Sequence, residues 1–506
     1  MNRVYSRAYS IIAAPKFFWF ILALFLVQAL WFVFSARYPM AFDEAYHFNF
    51  IRVYSEQWLP FLGEHPEGYN LNSVTREPSY FYNYLLSFPF RIITLFSESP
   101  TVQIITLRLI NVGIFAYTIV LYRKIFTLTG LSHALTHVGL LLFTLIPIVP
   151  MLAAHINYDN GLMLLIAWLL LVSHSALSTL KAHQLPLQQL LIIGIVALFA
   201  SIVKYAVLPI LLGGVGFILL YTYLTFRSYS LRSTIALIRR SWHRIARPLK
   251  VILPIMLLIG GLLCFERFGL NLLRYHTLVP DCDQVISVEQ CLEFGPYERN
   301  AGYRQTADPN FEPSPQTHIG TWLSGMWYRL FFMINGDLAA DRYHNFPPLP
   351  LPALSAVAIF SFGLLSVLRR PRQIFRTKPF LGFLAAIIIS YILILWYQSY
   401  AGYSSLGRIS ALNGRYLLLI IPAVIIIFGH AMTPIFTAKP KLKIALATLT
   451  ILLFLQGGGV VSFIVRSNPN WYWPNQSVEQ INVTTQKALQ PLIFGSESRH
   501  LQFVPR

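Results

Sequence analysis

The chain has 506 residues, 56% of them hydrophobic and only 12% charged, and carries a formal charge of +19. A soluble protein of this length needs a more charged surface, whereas apolar runs of roughly 20 residues, which recur here, suit a bilayer. The basic surplus would fit nucleic acid only if it were gathered on a solvated domain, and none is visible, so nucleic acid is excluded as a partner. Apolar periodicity predicts spans at 17–36, 102–122, 136–156, 161–180, 185–203, 205–226, 251–269, 350–368, 379–397, 416–436 and 444–465, an all-α polytopic membrane bundle of eleven helices.

Charge placement gives the expected orientation. With Arg3, Arg7 and Lys16 cytoplasmic, the inner loops carry Arg123 and Lys124, Lys181, the basic run Arg227 to Lys250, then Arg369 to Lys378 and Lys439 to Lys443. No Asp or Glu falls on that side, as the positive-inside rule requires, so the C-terminus is expected outside the plasma membrane. Counting the segment 78–96 as a span would invert everything after it. Its Asn83, Pro89 and Arg91, and its Tyr80, Phe81, Tyr82 and Tyr84, fit a juxtamembrane helix at the outer interface. The first span reads as an uncleaved signal anchor.

Residues 1–465 thus form a transmembrane part, with outer loops at 37–101 and 270–349, and 466–506 an extracytoplasmic tail. The Pro-rich 270–349 segment is too long for a connector and reads as a lid, a short-helix cap or an acceptor-docking surface. Its Cys282 and Cys291 are placed to pair in an oxidising compartment, while Cys264 sits in a span. Trp471, Tyr472 and Trp473 suggest an interface anchor, and Asn475 and Asn482 head glycosylation sequons. Neither GxxxxGK(S/T) nor GxGxxG after a strand occurs, which argues against nucleotide-driven chemistry.

Chemistry-bearing residues gather at the outer turns. Asp43 and Glu44 stand side by side at the mouth of the first span, where paired acids are costly to desolvate and easily tuned. His47 lies one helical turn beyond Asp43, and His155 and Asp159 repeat that spacing in the turn between 136–156 and 161–180. These groups suit acid–base work or a divalent cation with His47 and His155 as ligands; the plainer alternative for both acidic turns is helix capping. Lys204, Arg408 and Arg415 occupy other outer turns and suit a lipid phosphate, against the alternative of snorkelling to headgroups. Arg108 lies inside a span and needs an outer-loop carboxylate or a phosphate.

Taken in order, Asp43-Glu44, Glu77-Pro78-Ser79-Tyr80-Phe81-Tyr82, Arg108, Asn157-Tyr158-Asp159, Lys204-Tyr205 and Asn413-Gly414-Arg415-Tyr416 resemble the polytopic C-type glycosyltransferases. That superfamily includes protein O-mannosyltransferases and lipid A aminoarabinose transferases. The resemblance implies an inverting transfer from a polyprenyl-phosphate sugar to an envelope lipid, glycan or protein, with Asp43 as general base. Glu44 and Asp159 would orient the acceptor or bind a divalent metal, and Lys204, Arg415, Arg408, Arg108, Tyr205 and Tyr416 would hold the donor. Ser79 stands where the pattern has a second Pro, and the 270–349 loop and the tail match nothing in it. A transporter or flippase of a lipid-linked saccharide is the alternative, although its ionisable sites would be expected near the bilayer midplane.

Overall fold

The computed structural model describes residues 2–41, 43–61, 76–331, 334–337, 342–345, 349–409, 412–438, 448, 451–452, 454 and 456–494. In chain order these begin with α1 (Asn2–Ala13), α2 (Pro15–Ser35), α3 (Glu44–Ser55), α4 (Phe81–Phe96) and α5 (Pro100–Leu128). There follow α6 (His133–Thr144), α7 (Ile148–Ala153), α8 (Tyr158–Lys181), α9 (Leu187–Val203), α10 (Leu208–Phe226), α11 (Leu231–Arg244), α12 (Leu249–Cys264) and α13 (Leu270–Tyr275). The short α14 (Cys282–Val285) and α15 (Val288–Cys291) precede α16 (Gly295–Gln305) and α17 (Pro315–Phe331). The series continues with α18 (Pro350–Arg369), α19 (Pro371–Thr377), α20 (Pro379–Leu406) and α21 (Ile421–Ala438). Strands Ile334–Asp337 and Arg342–Asn345 pair antiparallel, the one departure from helix among the described elements.

Among the described residues, seven helices are long and apolar enough to cross a membrane: Pro15–Ser35, Pro100–Leu128, Tyr158–Lys181, Tyr205–Phe226, Leu249–Tyr275, Leu351–Arg369 and Pro379–Leu406. This is the make-up of an integral membrane protein. α6, α9 and α21 are apolar but shorter. Of the expected span 444–465, residues 444–447, 449–450, 453 and 455 lie outside the described residues and 456–460 form a turn before the helix Val461–Arg466, and 136–156 is not one helix. Pro147 and Pro150 lack N–H donors, so the chain breaks between α6 and α7. The Leu145 carbonyl at the break accepts instead from the Gly459 N–H at 2.6 Å. Gly459 has φ +58°, and a Cβ there would lie 1.6 Å from Gln28 Oε1, so the position requires glycine.

α2 packs against α5, α6 and α7. Its Phe18, Ile21, Phe25, Phe32 and Val33 are buried, with the Phe25 ring 5.5 Å from that of Phe115 on α5. Ile252, Ile255, Leu258 and Leu262 on α12 stay exposed, a surface suited to hydrocarbon. In lipid, helix association draws on packing and polar bonds rather than on water release, so buried polar groups are the informative ones. The tail supplies several at the exit of α2. Trp473 N–H donates to the Ser35 carbonyl at 3.0 Å and its indole to Val33 at 3.1 Å, while the Asn482 amide donates to Ser35 Oγ at 3.0 Å. Trp471 to Trp473 therefore anchor onto α2 itself, and Asn482 is fully buried.

α4 confirms the helix expected over 78–96 and packs beside α3. Cys282 and Cys291 are disulfide-bonded, with Cα atoms 5.8 Å apart. Basic residues collect at one end of the bundle: Arg123 lies over the Phe18 ring at 4.3 Å, and Lys378 donates to the Thr129 carbonyl at 2.9 Å. The acidic turns meet at the other end.

Candidate functional site

The foundation is an ion pair with no solvent access. Arg108 Nε and Nη2 donate to Glu44 Oε1 and Oε2 at 2.8 and 2.7 Å, both side chains being fully buried. Glu44 also accepts from the Met40 N–H at 2.7 Å, and more distantly from Ile156 N–H at 3.4 Å. Arg108 Nη1 donates to the Ala36 carbonyl at 2.6 Å. One pair thus fastens the exit of α2, the start of α3, α5 and the turn before α8. Burial pushes the Glu44 carboxyl up, but the charge and hydrogen bonds of Arg108 outweigh it and hold it below the usual range. The outer-loop carboxylate expected for Arg108 is Glu44, and the bidentate geometry commits the two side chains to each other.

A neutral polar layer lies beside this pair. Tyr82 Oη donates to Asn111 Oδ1 at 2.7 Å, and the Asn160 amide donates to Asn111 Oδ1, the Leu152 carbonyl and the His155 carbonyl at 3.1, 2.9 and 3.0 Å. Asn157 Oδ1 accepts from the Asp159 N–H at 2.9 Å and caps α8. Capping therefore falls to Asn157, and the Asp159 side chain is left for other partners.

Asp43 sits in the cap position of α3 with φ +72°, a left-handed conformation that short polar side chains tolerate best, and its carboxylate makes no cap bond. It reaches Arg415 instead, Nη2 to Oδ2 at 2.8 Å, and is 48% exposed. Arg415 Nε stands 3.8 Å from Asp159 Oδ2, and Lys204 Nζ is 2.5 Å from Asp159 Oδ1. Two carboxylates and two cations from four distant segments thus form one chain of charges. Burial pushes the Asp43 carboxyl up, and the adjacent Arg415 guanidinium overrides it and holds it below the ordinary aspartate value. Burial lowers Lys204 to about 8, against the pull of Asp159.

Local sequence explains how the cations are held. Lys204 adopts an extended conformation between α9 and the turn Tyr205–Val207, which breaks the helix and turns its ammonium under the rings of Tyr158 and Tyr416, at 4.3 and 5.0 Å. The Asn413 side chain accepts from the Arg415 N–H at 3.0 Å. Gly414 passes so close to α17 that a Cβ would lie 2.6 Å from the Arg329 carbonyl carbon and the Leu330 nitrogen, so only glycine lets Arg415 approach.

Beside the cluster is a cavity of about 230 Å³ lined by Tyr158, Lys204, Tyr205 and Tyr416, with Trp322 and Met326 of α17 and Gln398 and Ser399 of α20. α17 belongs to the 270–349 loop, which here acts as a wall of the cavity. The structure thus joins Asp43, Asp159, Lys204, Arg415, Tyr205 and Tyr416. It sets Arg408 apart, exposed, over the Tyr303 ring at 5.4 Å. His47 Nδ1 lies 3.1 Å from Asn83 Oδ1, and burial lowers its imidazole to about 3; burial also lowers His155. Among the described residues no group of three or more His, Cys, Asp or Glu side chains is arranged to hold a metal. Tyr158 stacks edge-on to His47 at 4.4 Å and faces Lys204, and its place in an aromatic cage has no signal in sequence.

No family model, no curated protein and no solved structure matches the chain.

Removing one partner of a buried pair strands the other, at a cost of about 3–5 kcal/mol. Arg108→Leu should therefore lower the unfolding temperature in detergent sharply, whereas Asp43→Asn, at a half-exposed site, should leave it nearly unchanged. Equal melting of the two variants would show that the Glu44–Arg108 pair does not hold the fold.

Proposed function

We propose that the chain is a membrane glycosyltransferase that moves a sugar, with inversion, from a polyprenyl-phosphate donor to an acceptor on the extracytoplasmic face of the plasma membrane. The observation that carries this reading is the single cluster of Asp43, Arg415, Asp159 and Lys204 beside an aromatic-walled cavity. A base, two anion-holding cations and a space for substrate are the parts such a transfer needs. The reading takes eleven spans with the N-terminus cytoplasmic: the seven long helices, α6 with α7, α9, α21 and the segment 444–465. The acceptor would be an envelope lipid, glycan or protein.

In the free protein the cations are neutralised by the protein's own carboxylates. A donor phosphate competes for the same positions, Arg415 gripping its oxygens through the guanidinium fork and Lys204 as a point charge. As Arg415 turns to the phosphate, Asp43 loses the contact that keeps its carboxyl acidic, and its basicity rises. Asp43 then takes the proton of an acceptor hydroxyl while that oxygen bonds to the anomeric carbon. The bond from that carbon to the phosphate oxygen breaks, and its electron pair leaves on the polyprenyl phosphate held by the two cations. Donor binding thereby activates the base, a step worth about 10²- to 10⁴-fold in rate. No step is routed through a metal.

Asp43→Asn should bind polyprenyl phosphate at least as tightly as the natural protein, since Arg415 loses its competitor, yet transfer at least about 10²-fold more slowly. Weaker binding, or undiminished transfer, would reject the role given to Asp43.

Lys204 is charged below about 8 and neutral above it. A phosphate monoester gains charge through its second ionisation near ~6, so its own titration does not weaken binding at higher pH. Affinity for polyprenyl phosphate should begin to fall above about pH 8, and Lys204→Arg should abolish that fall. Affinity that stays flat from neutral to strongly alkaline pH would separate Lys204 from the phosphate.

A further inference from the structure

Between two membrane-length helices runs a third that is built unlike either. α11 has 14 residues and is joined to the end of α10 by the short connector 227–230 and to the start of α12 by 245–248. α10 and α12 belong to apolar stretches long enough to cross a membrane, so the end of the one and the start of the other lie at the same bilayer face. Lys204 stands just before α10, so this face is the one opposite the carboxylate cluster. Both ends of α11 are tied to it, and the helix, ~21 Å long, runs along the bilayer surface rather than out from it.

At about 3.6 residues per turn, α11 divides into three faces. Ser241 is buried and its hydroxyl donates to the Leu185 carbonyl at 2.9 Å, while Arg244 Nη1 donates to Gln184 Oε1 at 3.0 Å, so one face docks on the turn before α9. Leu231, Ile235, Ile238 and Trp242 follow helical spacing along a second face, the first three being 78%, 57% and 44% exposed. Arg232 and Arg239 flank that stripe on the side away from Ser241, Arg240 lies further round, and all three are exposed. The stripe continues the lipid-facing surface of its neighbours, where Tyr223 and Leu224 near the end of α10 and Val251 and Ile252 near the start of α12 are exposed as well. An acidic protein would match the arginines and not the stripe. An anionic leaflet matches both, apolar face inward and arginines at the phosphates.

We propose that α11 is a recognition helix for anionic phospholipid. It lies in the headgroup plane of the leaflet opposite the carboxylate cluster, with Leu231, Ile235, Ile238 and Trp242 among the first acyl carbons and Arg232, Arg239 and Arg240 on lipid phosphates. A guanidinium grips phosphate oxygens in pairs, and each basic residue near an anionic surface adds about fivefold in affinity.

The test is hydrogen exchange of the full chain in nanodiscs of phosphatidylcholine alone and of phosphatidylcholine with added phosphatidylglycerol. Amides of 231–244 should exchange at least about tenfold more slowly when phosphatidylglycerol is present. Arg232→Gln with Arg239→Gln and Arg240→Gln, all at exposed positions, should remove that difference. Ile235→Asn with Ile238→Asn keeps every charge and should reduce it too, and a full difference in this variant would overturn insertion of the apolar stripe. If the triple variant misfolds, salt tests the natural protein: at about 1 M the screening length falls to ~3 Å, and the difference should vanish. A difference that persists in the triple variant or in high salt would overturn the role of the arginines. Equal exchange of the natural protein in the two lipids would reject the lipid and leave the basic flank to an acidic protein.

Discussion

A carboxylate and a guanidinium buried together without solvent access, Glu44 and Arg108, set the geometry of everything at the acidic end of this bundle. In an apolar surround neither charge is tolerable alone, and each is tolerable only because the other meets it bidentately and backbone groups satisfy what remains. Those backbone groups belong to Ala36, Met40 and Ile156, so satisfying the pair forces the end of α2, the first outer turn and the turn before α8 into contact. The chain must then rise into α3 through a left-handed residue, Asp43, whose carboxylate is delivered outward to Arg415.

Two adjacent acids consequently have opposite fates. Glu44 is enclosed and has no oxygen to spare, while Asp43 is half exposed and held by a cation that a phosphate could also claim. Asp159 is buried, and with Asn157 capping α8 its carboxylate meets Lys204. The resulting cluster is neutral as a whole, which suits a membrane boundary, with each carboxylate facing a cation.

Much of the site was legible in the sequence because outer turns are where ionisable residues survive in a chain this apolar. Asp43, Asp159, Lys204 and Arg415 stood out for that reason. What the sequence did not carry was partnership. Arg408 and Arg415 read alike as turn cations, yet Gly414 admits Arg415 beside α17 while Arg408 rests on Tyr303 at the surface. Hydropathy likewise made 136–156 a single span, because a window average is blind to Pro147 and Pro150 breaking the helix and to Gly459, within 444–465, bonding the freed carbonyl. The wall formed by Trp322 and Met326 was hidden in a loop with no recognisable pattern, since packing across some hundred and fifty residues leaves no local periodicity.

The central claim is that a lipid-borne phosphate leaves from between Lys204 and Arg415. It is tested most directly by incubating the purified protein with a panel of polyprenyl-phosphate sugars and following release of the free polyprenyl phosphate. The account predicts release from at least one member, dependent on an added acceptor hydroxyl. A complete panel that yields no release, from protein shown to bind polyprenyl phosphate, would contradict it.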